Sequence, residues 1–218
     1  NLLDRAEWLG QIYADAAMKI EGEQDGEGRK AMQAEVGRIL QALERGDPHY
    51  TGLWEETRQW SLAAFDEVYQ WLGARFDVVF YESDMERGQQ IVDEGLEKGV
   101  FLVSEGAVGV DLEADGLPWF MVRKSDGTSL YSTKDLALAQ IKFGQYGIEE
   151  SIYVVGAEQT LHFKQVFNTL QRLGYEQAKD CHHLAYGLVM LPEGKMSSRA
   201  GNTITFSRLR REVLDYID

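Results

Sequence analysis

A short loop near the carboxyl end of the chain carries residue types that bind polyphosphates. Its sequence is GKMSSRAG (residues 194–201), with the hydroxyls of Ser197 and Ser198 between the cations Lys195 and Arg199. Hydroxyls can donate hydrogen bonds to phosphate oxygens, and cations neutralise the charge that builds up during phosphoryl or nucleotidyl transfer. Solvated surface turns use the same residue types. The loop therefore indicates either a nucleotide site or an ordinary turn.

A second group of polar residues could recognise a guanidinium group. Asp135 lies one helical turn after Tyr131, so a carboxylate and an aromatic ring can face one pocket, and Gln159 follows a predicted strand. A carboxylate pairs with a guanidinium through parallel hydrogen bonds. The alternative for Asp135 is a charge near a helix N-terminus that interacts with the helix dipole. Glu158 could be a second carboxylate or part of the loop surface.

The histidines offer a nucleotide contact more readily than a metal site. His162 lies in the first turn of a predicted helix, where a neutral imidazole could donate to a ribose or phosphate oxygen. Helix capping or core packing is the alternative. His182 and His183 are adjacent, and neighbouring residues on a strand point to opposite faces, which argues against joint metal ligation. We therefore predict no metal site in the protein itself.

Composition and charge exclude several classes of protein. The 218 residues have the apolar content of an ordinary soluble protein, and no apolar run approaches the roughly 20 residues of a membrane span. The N-terminus lacks a signal-peptide pattern, so we expect a cytoplasmic protein without a membrane partner. The net charge of −14 argues against a general nucleic-acid surface. The basic run of Arg208, Arg210 and Arg211 could contact nucleic acid or form a solvated helix face.

Apolar periodicity predicts a helical first part followed by short strands. The predicted helices cover residues 2–20, 29–43 and 51–72. A strand at 76–82 and a helix from an N-cap at Ser83 to Lys98 follow. Three further strands, at 100–104, 107–112 and 119–123, are joined by turns that contain glycine. This part of the chain is therefore rich in hairpins.

The last part of the chain alternates between helices and strands. The predicted elements are a helix at 134–146, a strand at 151–155, a helix at 160–173, a strand at 184–190 and a helix at 206–217. Such alternation implies βαβ crossovers and a parallel sheet, and hence an α/β fold. Ligands bind at the carboxyl ends of parallel strands. We predict that Tyr131, residues 156–159 and the GKMSSRAG loop all lie at such ends.

Three segments in the same order resemble the class I aminoacyl-tRNA synthetases, and among them the arginyl-tRNA synthetases. GKMSSRAG is similar to the KMSKS signature, YSTKDLA (131–137) to the start of the arginine-site helix, and YVVGAEQTLHFKQVF (153–167) to the strand, loop and helix that follow. The resemblance is clear from about Trp60 to the end. It implies a partial Rossmann-like class I synthetase catalytic domain, a parallel sheet with flanking helices, preceded by a helical region and a short segment rich in β-hairpins.

The resemblance also implies an activity and a set of site residues. The family activates L-arginine with ATP, as its Mg²⁺ complex, and transfers the arginine to tRNA(Arg). Arginine would bind to Tyr131, Asp135 and Gln159. Catalysis at the pyrophosphate side would use Lys195, Ser197, Ser198 and Arg199. The implied ATP-binding residues are His162, Gly187, Val189, Met190, Lys195 and Met196. Ser198 stands where the usual motif has a catalytic lysine, so the second cation must be Arg199 or come from elsewhere.

One signature of the family is absent from the sequence. None of the four histidines stands in the H-x-G-H context of the HIGH motif, which holds the ATP phosphates in class I enzymes. We therefore expect a synthetase fragment, inactive alone, whose partners include the missing halves of the same polypeptide. The expected domains are a helical region at 1–75, the second part of the catalytic domain at 76–205 and the start of a connecting helix at 206–218. Alternatives are a non-catalytic synthetase-derived module that binds arginine or a nucleotide, and another class I synthetase, such as a cysteinyl or glutamyl enzyme.

Overall fold

The computed structural model describes residues 1–81, 88–128, 130–192, 194–196 and 203–217. Its helices are α1 (Leu2–Gly22), α2 (Gly26–Glu44), α3 (Pro48–Leu72), α4 (Gly88–Glu97), α5 (Tyr131–Tyr146), α6 (Thr160–Arg172) and α7 (Phe206–Ile217). Its strands are β1 (Leu102–Ser104), β2 (Ala107–Val110), β3 (Phe120–Arg123), β4 (Ser151–Gly156), β5 (Cys181–Tyr186), β6 (Met190–Leu191) and β7 (Gly194–Lys195). None of the described helices has the length and apolar character needed to cross a membrane.

The chain divides into two compact units. The helical unit comprises Asn1–Asp77 and Val189–Asp218, and the α/β unit comprises Val78–Leu188. The helical unit therefore combines both ends of the sequence, while the α/β unit is one continuous segment.

Side-chain caps determine where the helices of the helical unit begin. The Asp25 carboxylate accepts hydrogen bonds from the backbone N–H groups of Glu27 and Gly28, so α2 starts three residues before its predicted start. Asp47 caps α3 in the same way, and Pro48 occupies the first turn, where no backbone donor is needed. All three predicted N-terminal helices are confirmed: α1 begins where predicted, and α2 and α3 begin earlier, at their caps.

The C-terminal helix of the helical unit is held by contacts with α1 and α3. Glu7 Oε1 accepts a hydrogen bond of 3.1 Å from the Ser207 backbone N–H. Trp71 and Phe206 pack edge to face with ring centroids 5.3 Å apart. A carboxylate at a helix N-terminus satisfies one of its free donors and complements the helix dipole. The predicted helix at 206–217 is confirmed.

The α/β unit contains a three-stranded antiparallel sheet that packs against three helices. The strand order is β1-β2-β3, with a register shift between Val108 and Gly109. The three strands predicted for the hairpin-rich segment are thus confirmed. Side chains from the sheet, α4, α5 and α6 form one core, whose most buried members include Val92, Phe101, Val108, Leu112, Val122, Leu136, Val166 and Leu170.

A parallel strand pair completes the α/β unit. β4 pairs with β5 in parallel from Ser151 opposite Cys181 to Gly156 opposite Tyr186, and α6 forms the connection between them. Tyr153 on the inner face packs with Phe163 of α6. The βαβ arrangement confirms the predicted α/β fold class.

Two predicted strands are wrong in whole or in part. Residues 76–81 form no strand, since the described residues offer no neighbouring strand to them. Their aromatic rings pack on helices instead, Phe76 on Tyr69 and Phe80 on Tyr146. The strand predicted at 184–190 lies at Cys181–Tyr186, because β4 ends at Gly156 and the parallel ladder ends with it. The predicted N-cap at Ser83 falls outside the described residues.

Candidate functional site

Two hydroxyl groups fix the start of α5 to the antiparallel sheet. Ser132 Oγ donates a hydrogen bond of 2.6 Å to the Met121 carbonyl oxygen, and Thr133 Oγ1 donates to the Val122 carbonyl oxygen. Both hydroxyl residues are buried. Asp135 lies two residues after Thr133 on the same helix. The two hydrogen bonds therefore fix the backbone that carries Asp135 relative to β3.

The start of α6 is fixed in a similar way. β4 ends at Gly156, and a 3-10 turn, Ala157–Gln159, leads into the helix. Thr160 Oγ1 donates a hydrogen bond of 2.7 Å to the Ala157 carbonyl oxygen. Deeper in the helix, the buried Gln165 amide donates to the Pro118 carbonyl oxygen at 2.9 Å. The first turn of α6 thus occupies the carboxyl end of β4, where an α/β sheet binds ligands.

Asp135 and His162 join these two helix starts directly. His162 Nε2 lies 2.6 Å from Asp135 Oδ2, and the two side chains are 24% and 28% exposed. A carboxylate accepts hydrogen bonds, so Nε2 carries the hydrogen. The imidazole also packs edge to face with Phe120 and Phe163, at centroid distances of 5.7 and 5.3 Å. The pair is a half-buried polar centre with a fixed donor direction.

Asp135 and His162 have different predicted roles, and their contact is not predictable from the sequence. They are 27 positions apart, on two helices, and no local sequence signal connects them. Because Nε2 donates to Asp135, a neutral His162 has only the acceptor Nδ1 left for another partner. In this tautomer Nδ1 can accept a hydrogen bond, for example from a ribose hydroxyl. The role of His162 in ATP binding stays a prediction.

The other two predicted arginine-site residues are more exposed. Tyr131, the first residue of α5, is 72% exposed, and Lys134 Nζ lies 5.5 Å from its ring centroid. Gln159 is exposed immediately before α6, and its side chain forms no capping hydrogen bond to the described first turn of that helix. The structure thus brings Asp135 and His162 into contact and leaves Tyr131 and Gln159 accessible near the same two helix starts.

Glu158 is folded back over the end of β4. A Cβ atom added to Gly156 would lie 2.5 Å from Glu158 Oε2, so glycine leaves the room that the carboxylate occupies. The Glu158 residue as a whole is exposed. This position fits either of the alternatives given for Glu158, a second carboxylate of the site or loop surface.

The remaining nucleotide-site candidates are divided between the two units. Gly187 is exposed in the α/β unit, just after β5. In the helical unit, Val189 and Met190 are exposed, and Lys195 pairs with Met190 in the β6–β7 hairpin. Met196 follows this hairpin. The GKMSSRAG loop therefore begins in an antiparallel hairpin, and its predicted position after a parallel strand is wrong. Ser197, Ser198 and Arg199 lie outside the described residues.

A partly buried amine lies two helical turns after Asp135 on the same face of α5. Lys142 Nζ donates a hydrogen bond of 2.6 Å to Ser151 Oγ and lies 3.7 Å from the Tyr153 ring centroid. Burial lowers the pKa of Lys142, while burial raises the pKa of Tyr153 and of the nearby Cys181 thiol. The sequence analysis did not single out this group of residues, although the i, i+7 spacing from Asp135 is a signal for a shared helix face.

The two adjacent histidines have separate partners. His182 Nε2 lies 3.3 Å from Glu150 Oε1 on the surface, and His183 Nε2 donates a hydrogen bond of 2.9 Å to the Val155 carbonyl oxygen. Within the described ranges, no three or more histidine, cysteine, aspartate or glutamate residues are grouped so that they could hold a metal ion. His182 and His183 are thus explained by local contacts.

Two arginines of the basic run on α7, Arg208 and Arg210, form local ion pairs. Arg208 Nε donates a hydrogen bond of 2.7 Å to Glu212 Oε1. Arg210 lies 3.8 Å from Glu67 Oε1 and stacks over Trp71 at 5.8 Å. These contacts favour the solvated helix face over a nucleic-acid contact for the two arginines.

Sequence comparison places this chain close to one group of enzymes. A family model described as tRNA synthetases class I (R), catalytic domain, matches residues 5–216. The arginine–tRNA ligase of Bdellovibrio bacteriovorus is 42% identical over 215 residues, which cover 98% of this chain and 37% of that protein. The arginine–tRNA ligase of Bacteroides thetaiotaomicron is 41% identical over 193 residues, which cover 88% of this chain and 32% of that protein.

Solved structures show the same fold. The arginyl-tRNA synthetase of Thermus thermophilus matches with a TM-score of 0.63 and 23% identity, over 94% of this chain and 43% of that one. The arginyl-tRNA synthetase of Plasmodium falciparum matches with a TM-score of 0.63 and 18% identity, over 94% of this chain and 38% of that one. The chain spans about a third of the length of the curated relatives described above.

Proposed function

The chain belongs to the family of class I (R) tRNA synthetase catalytic domains, and we propose that it supplies the arginine-recognising part of an arginine–tRNA ligase. In this reaction the arginine carboxylate attacks the α-phosphate of ATP, pyrophosphate leaves, and the arginyl group is then transferred to tRNA(Arg). The observation that carries the proposal is the half-buried pair of Asp135 and His162, where the first turns of α5 and α6 meet.

Arginine recognition rests on the chemistry of Asp135. A half-buried carboxylate attracts a guanidinium more strongly than an exposed one does, because water screens the charges less. Its Oδ2 atom is held by His162, and we assign the second carboxylate oxygen, Oδ1, to the guanidinium. Tyr131 provides an accessible aromatic ring and Gln159 an accessible amide oxygen. The three residues thus offer the chemical groups that a guanidinium-binding pocket needs.

Adenylate formation is assigned to the residues that the family resemblance names. His162 through Nδ1, Gly187, Val189, Met190 and Met196 are assigned to ATP. Lys195, Ser197, Ser198 and Arg199 stabilise the negative charge on the departing pyrophosphate. In-line displacement needs little covalent chemistry from the protein, so positioning and charge stabilisation provide the rate enhancement. Mg²⁺ enters with ATP, held mainly by the substrate phosphates.

The same proposal covers the organisation of the chain. We assign residues 1–75 to a helical region, 76–205 to the second part of the catalytic domain and 206–218 to a connecting helix. The sequence contains no HIGH motif, so the 218-residue chain alone is expected to show no arginine-dependent ATP–pyrophosphate exchange. Exchange by the purified chain would contradict this part of the proposal.

A chimeric enzyme tests the function. The matching 215-residue segment of the Bdellovibrio bacteriovorus ligase is replaced by this chain, and arginine-dependent ATP–pyrophosphate exchange is measured. We expect exchange, and a loss of about a hundredfold in kcat/KM for arginine with Asp135→Asn, because one charged partner of the guanidinium is removed. Glu150→Gln, at a surface ion pair, is the matched control and should leave exchange unchanged. Unchanged exchange with Asp135→Asn, or exchange driven by cysteine or glutamate, would contradict the proposal.

A further inference from the structure

We infer that His162 is a positioning residue for arginine recognition, which holds Asp135 by one carboxylate oxygen and presents the other to the guanidinium. The inference rests on the proposed function of Asp135. It adds a role in the amino-acid site to a residue that the family resemblance connects with ATP.

The imidazole is itself fixed, which is what a positioning role requires. Phe120, buried on β3, and Phe163, buried on α6, each pack edge to face with the imidazole. The backbone of His162 belongs to the first turn of α6, which follows β4 after one 3-10 turn. Contacts from β3 and from α6 itself thus hold the imidazole, so the direction of the Nε2–H group is set before any ligand binds.

The hydrogen bond to His162 determines how Asp135 meets its ligand. A free aspartate side chain rotates about two bonds, and ordering it on binding costs conformational entropy. The 2.6 Å contact of Nε2 with Oδ2 removes that rotation in advance. Oδ1 then points in one direction, and a ligand with planar N–H donors can meet it without reorganising the pocket. Preorganisation of this kind improves affinity without adding a contact to the ligand.

Three variants separate positioning from simple packing. His162→Phe keeps an aromatic ring between Phe120 and Phe163 but removes the donor to Asp135. His162→Gln keeps an N–H donor near the place of Nε2. Asp135→Asn removes the charged acceptor. The dissociation constant of L-arginine is measured by calorimetric titration of the 218-residue chain for the wild type, the three single variants and the Asp135→Asn/His162→Phe double variant.

In this double-mutant cycle, the effects of the Asp135 and His162 substitutions on arginine affinity should not add. His162→Phe should weaken arginine binding about tenfold in the wild-type background, and His162→Gln should restore most of that loss. In the Asp135→Asn background, His162→Phe should have little further effect, since it acts through Asp135. Equal losses in both backgrounds would overturn the inference and leave His162 a packing residue.

A spectroscopic measurement tests the pair without any ligand. In ¹⁵N-labelled chain at mildly alkaline pH, the long-range imidazole correlations of His162 should show the Nε2–H tautomer, and Asp135→Asn should perturb them. An Nδ1–H tautomer in the wild-type chain would overturn the inference.

Failure of the wild-type chain to bind arginine would contradict the proposed function, and this inference with it. Arginine binding with an additive double-mutant cycle would contradict the positioning role of His162 alone.

Discussion

Lys142 Nζ lies 3.7 Å from the centroid of the Tyr153 ring, beneath the β4–β5 pair. The ammonium group and the ring form a cation–π contact inside the α/β unit, and Ser151 Oγ accepts a hydrogen bond from the same ammonium. The contact connects α5, the helix that carries Asp135, with β4, the strand that leads to α6. Lys142 and Tyr153 have opposite effects on how the free energy of unfolding depends on pH.

Replacing Tyr153 with phenylalanine should stabilise the fold. The Tyr153 hydroxyl is buried and has no hydrogen-bond partner of ordinary geometry within the described residues. A buried polar group without a partner carries a desolvation cost, so Tyr153→Phe should raise the free energy of unfolding at neutral pH by about 1 kcal/mol. Urea denaturation measures this change, and a loss of similar size would show that the hydroxyl is satisfied.

The same variant should reduce the loss of stability at alkaline pH. Burial raises the pKa of Tyr153 in the folded chain, whereas a tyrosine in the unfolded chain ionises near its usual value of about 10. Above that pH the folded state binds more protons than the unfolded state, so stability falls as pH rises. Urea titrations at about pH 9 and pH 11 should therefore show a smaller loss for Tyr153→Phe than for wild type. An equal loss of stability in wild type and Tyr153→Phe would show that ionisation of Tyr153 does not contribute to the alkaline destabilisation.

Replacing Lys142 should also raise stability at neutral pH. Burial lowers the pKa of Lys142 in the folded chain, so the unfolded chain holds this proton to higher pH. Its contribution to stability therefore rises with pH between the folded pKa and the usual value of about 10.4. Lys142→Met removes the desolvation cost of the partly buried ammonium and should raise the free energy of unfolding at pH 7. A loss of stability would show that the contacts with Ser151 and Tyr153 outweigh the desolvation.

Gly95 on α4 should not tolerate a larger side chain. A Cβ atom there would overlap the ring of Phe101, which is almost fully buried. Gly95→Ala should therefore lower the free energy of unfolding by about 2 kcal/mol through overpacking. Gly144→Ala on α5 is the matched control, since its Cβ would meet nothing within 4 Å, and alanine should instead stabilise that helix by about 0.8 kcal/mol. If Gly95→Ala and Gly144→Ala change the free energy of unfolding equally in denaturation curves, the close packing of Gly95 against Phe101 is contradicted.

The carboxylate of Glu7 should matter for the order of α7. Its hydrogen bond to the Ser207 backbone N–H satisfies a donor at the helix N-terminus. Glu7→Ala should cost about 1 kcal/mol of helix stability, which faster hydrogen exchange at the Ser207 amide would report. Glu35→Ala, at an exposed position of α2, should leave exchange at Ser207 unchanged. Identical exchange in both variants would show that the cap does not stabilise α7.

Helix and strand identities were predictable where local patterns determine them. Apolar spacing located the N-terminal helices, and the start of α3 follows from Asp47 and Pro48, a cap and an N-terminal proline that are visible in the sequence. The strand predicted at 76–82 failed for a non-local reason, because β-branched and aromatic residues form a strand only when a neighbour pairs with them. The end of β5 likewise depends on where β4 ends.

The candidate site residues could be named from the sequence, and their roles stay predictions, but the contacts between them could not be predicted. The resemblance to known synthetases named Asp135 and His162, and it assigned them to different substrates. Their hydrogen bond depends on how α5 and α6 pack, through the Ser132 and Thr133 hydroxyls on one side and the turn after β4 on the other. Tertiary contacts of this kind carry no periodic sequence signal, so single-sequence reasoning did not reach the pairing.

Titration of the purified 218-residue chain with L-arginine tests the central claim most directly, with citrulline and lysine as controls. Citrulline has nearly the shape of arginine but lacks the charge that pairs with Asp135, and lysine has a charge without a planar array of donors. The account predicts that arginine binds, that citrulline and lysine bind at least about tenfold more weakly, and that Asp135→Asn removes this preference. Equal binding of citrulline, or no binding of arginine, would contradict it.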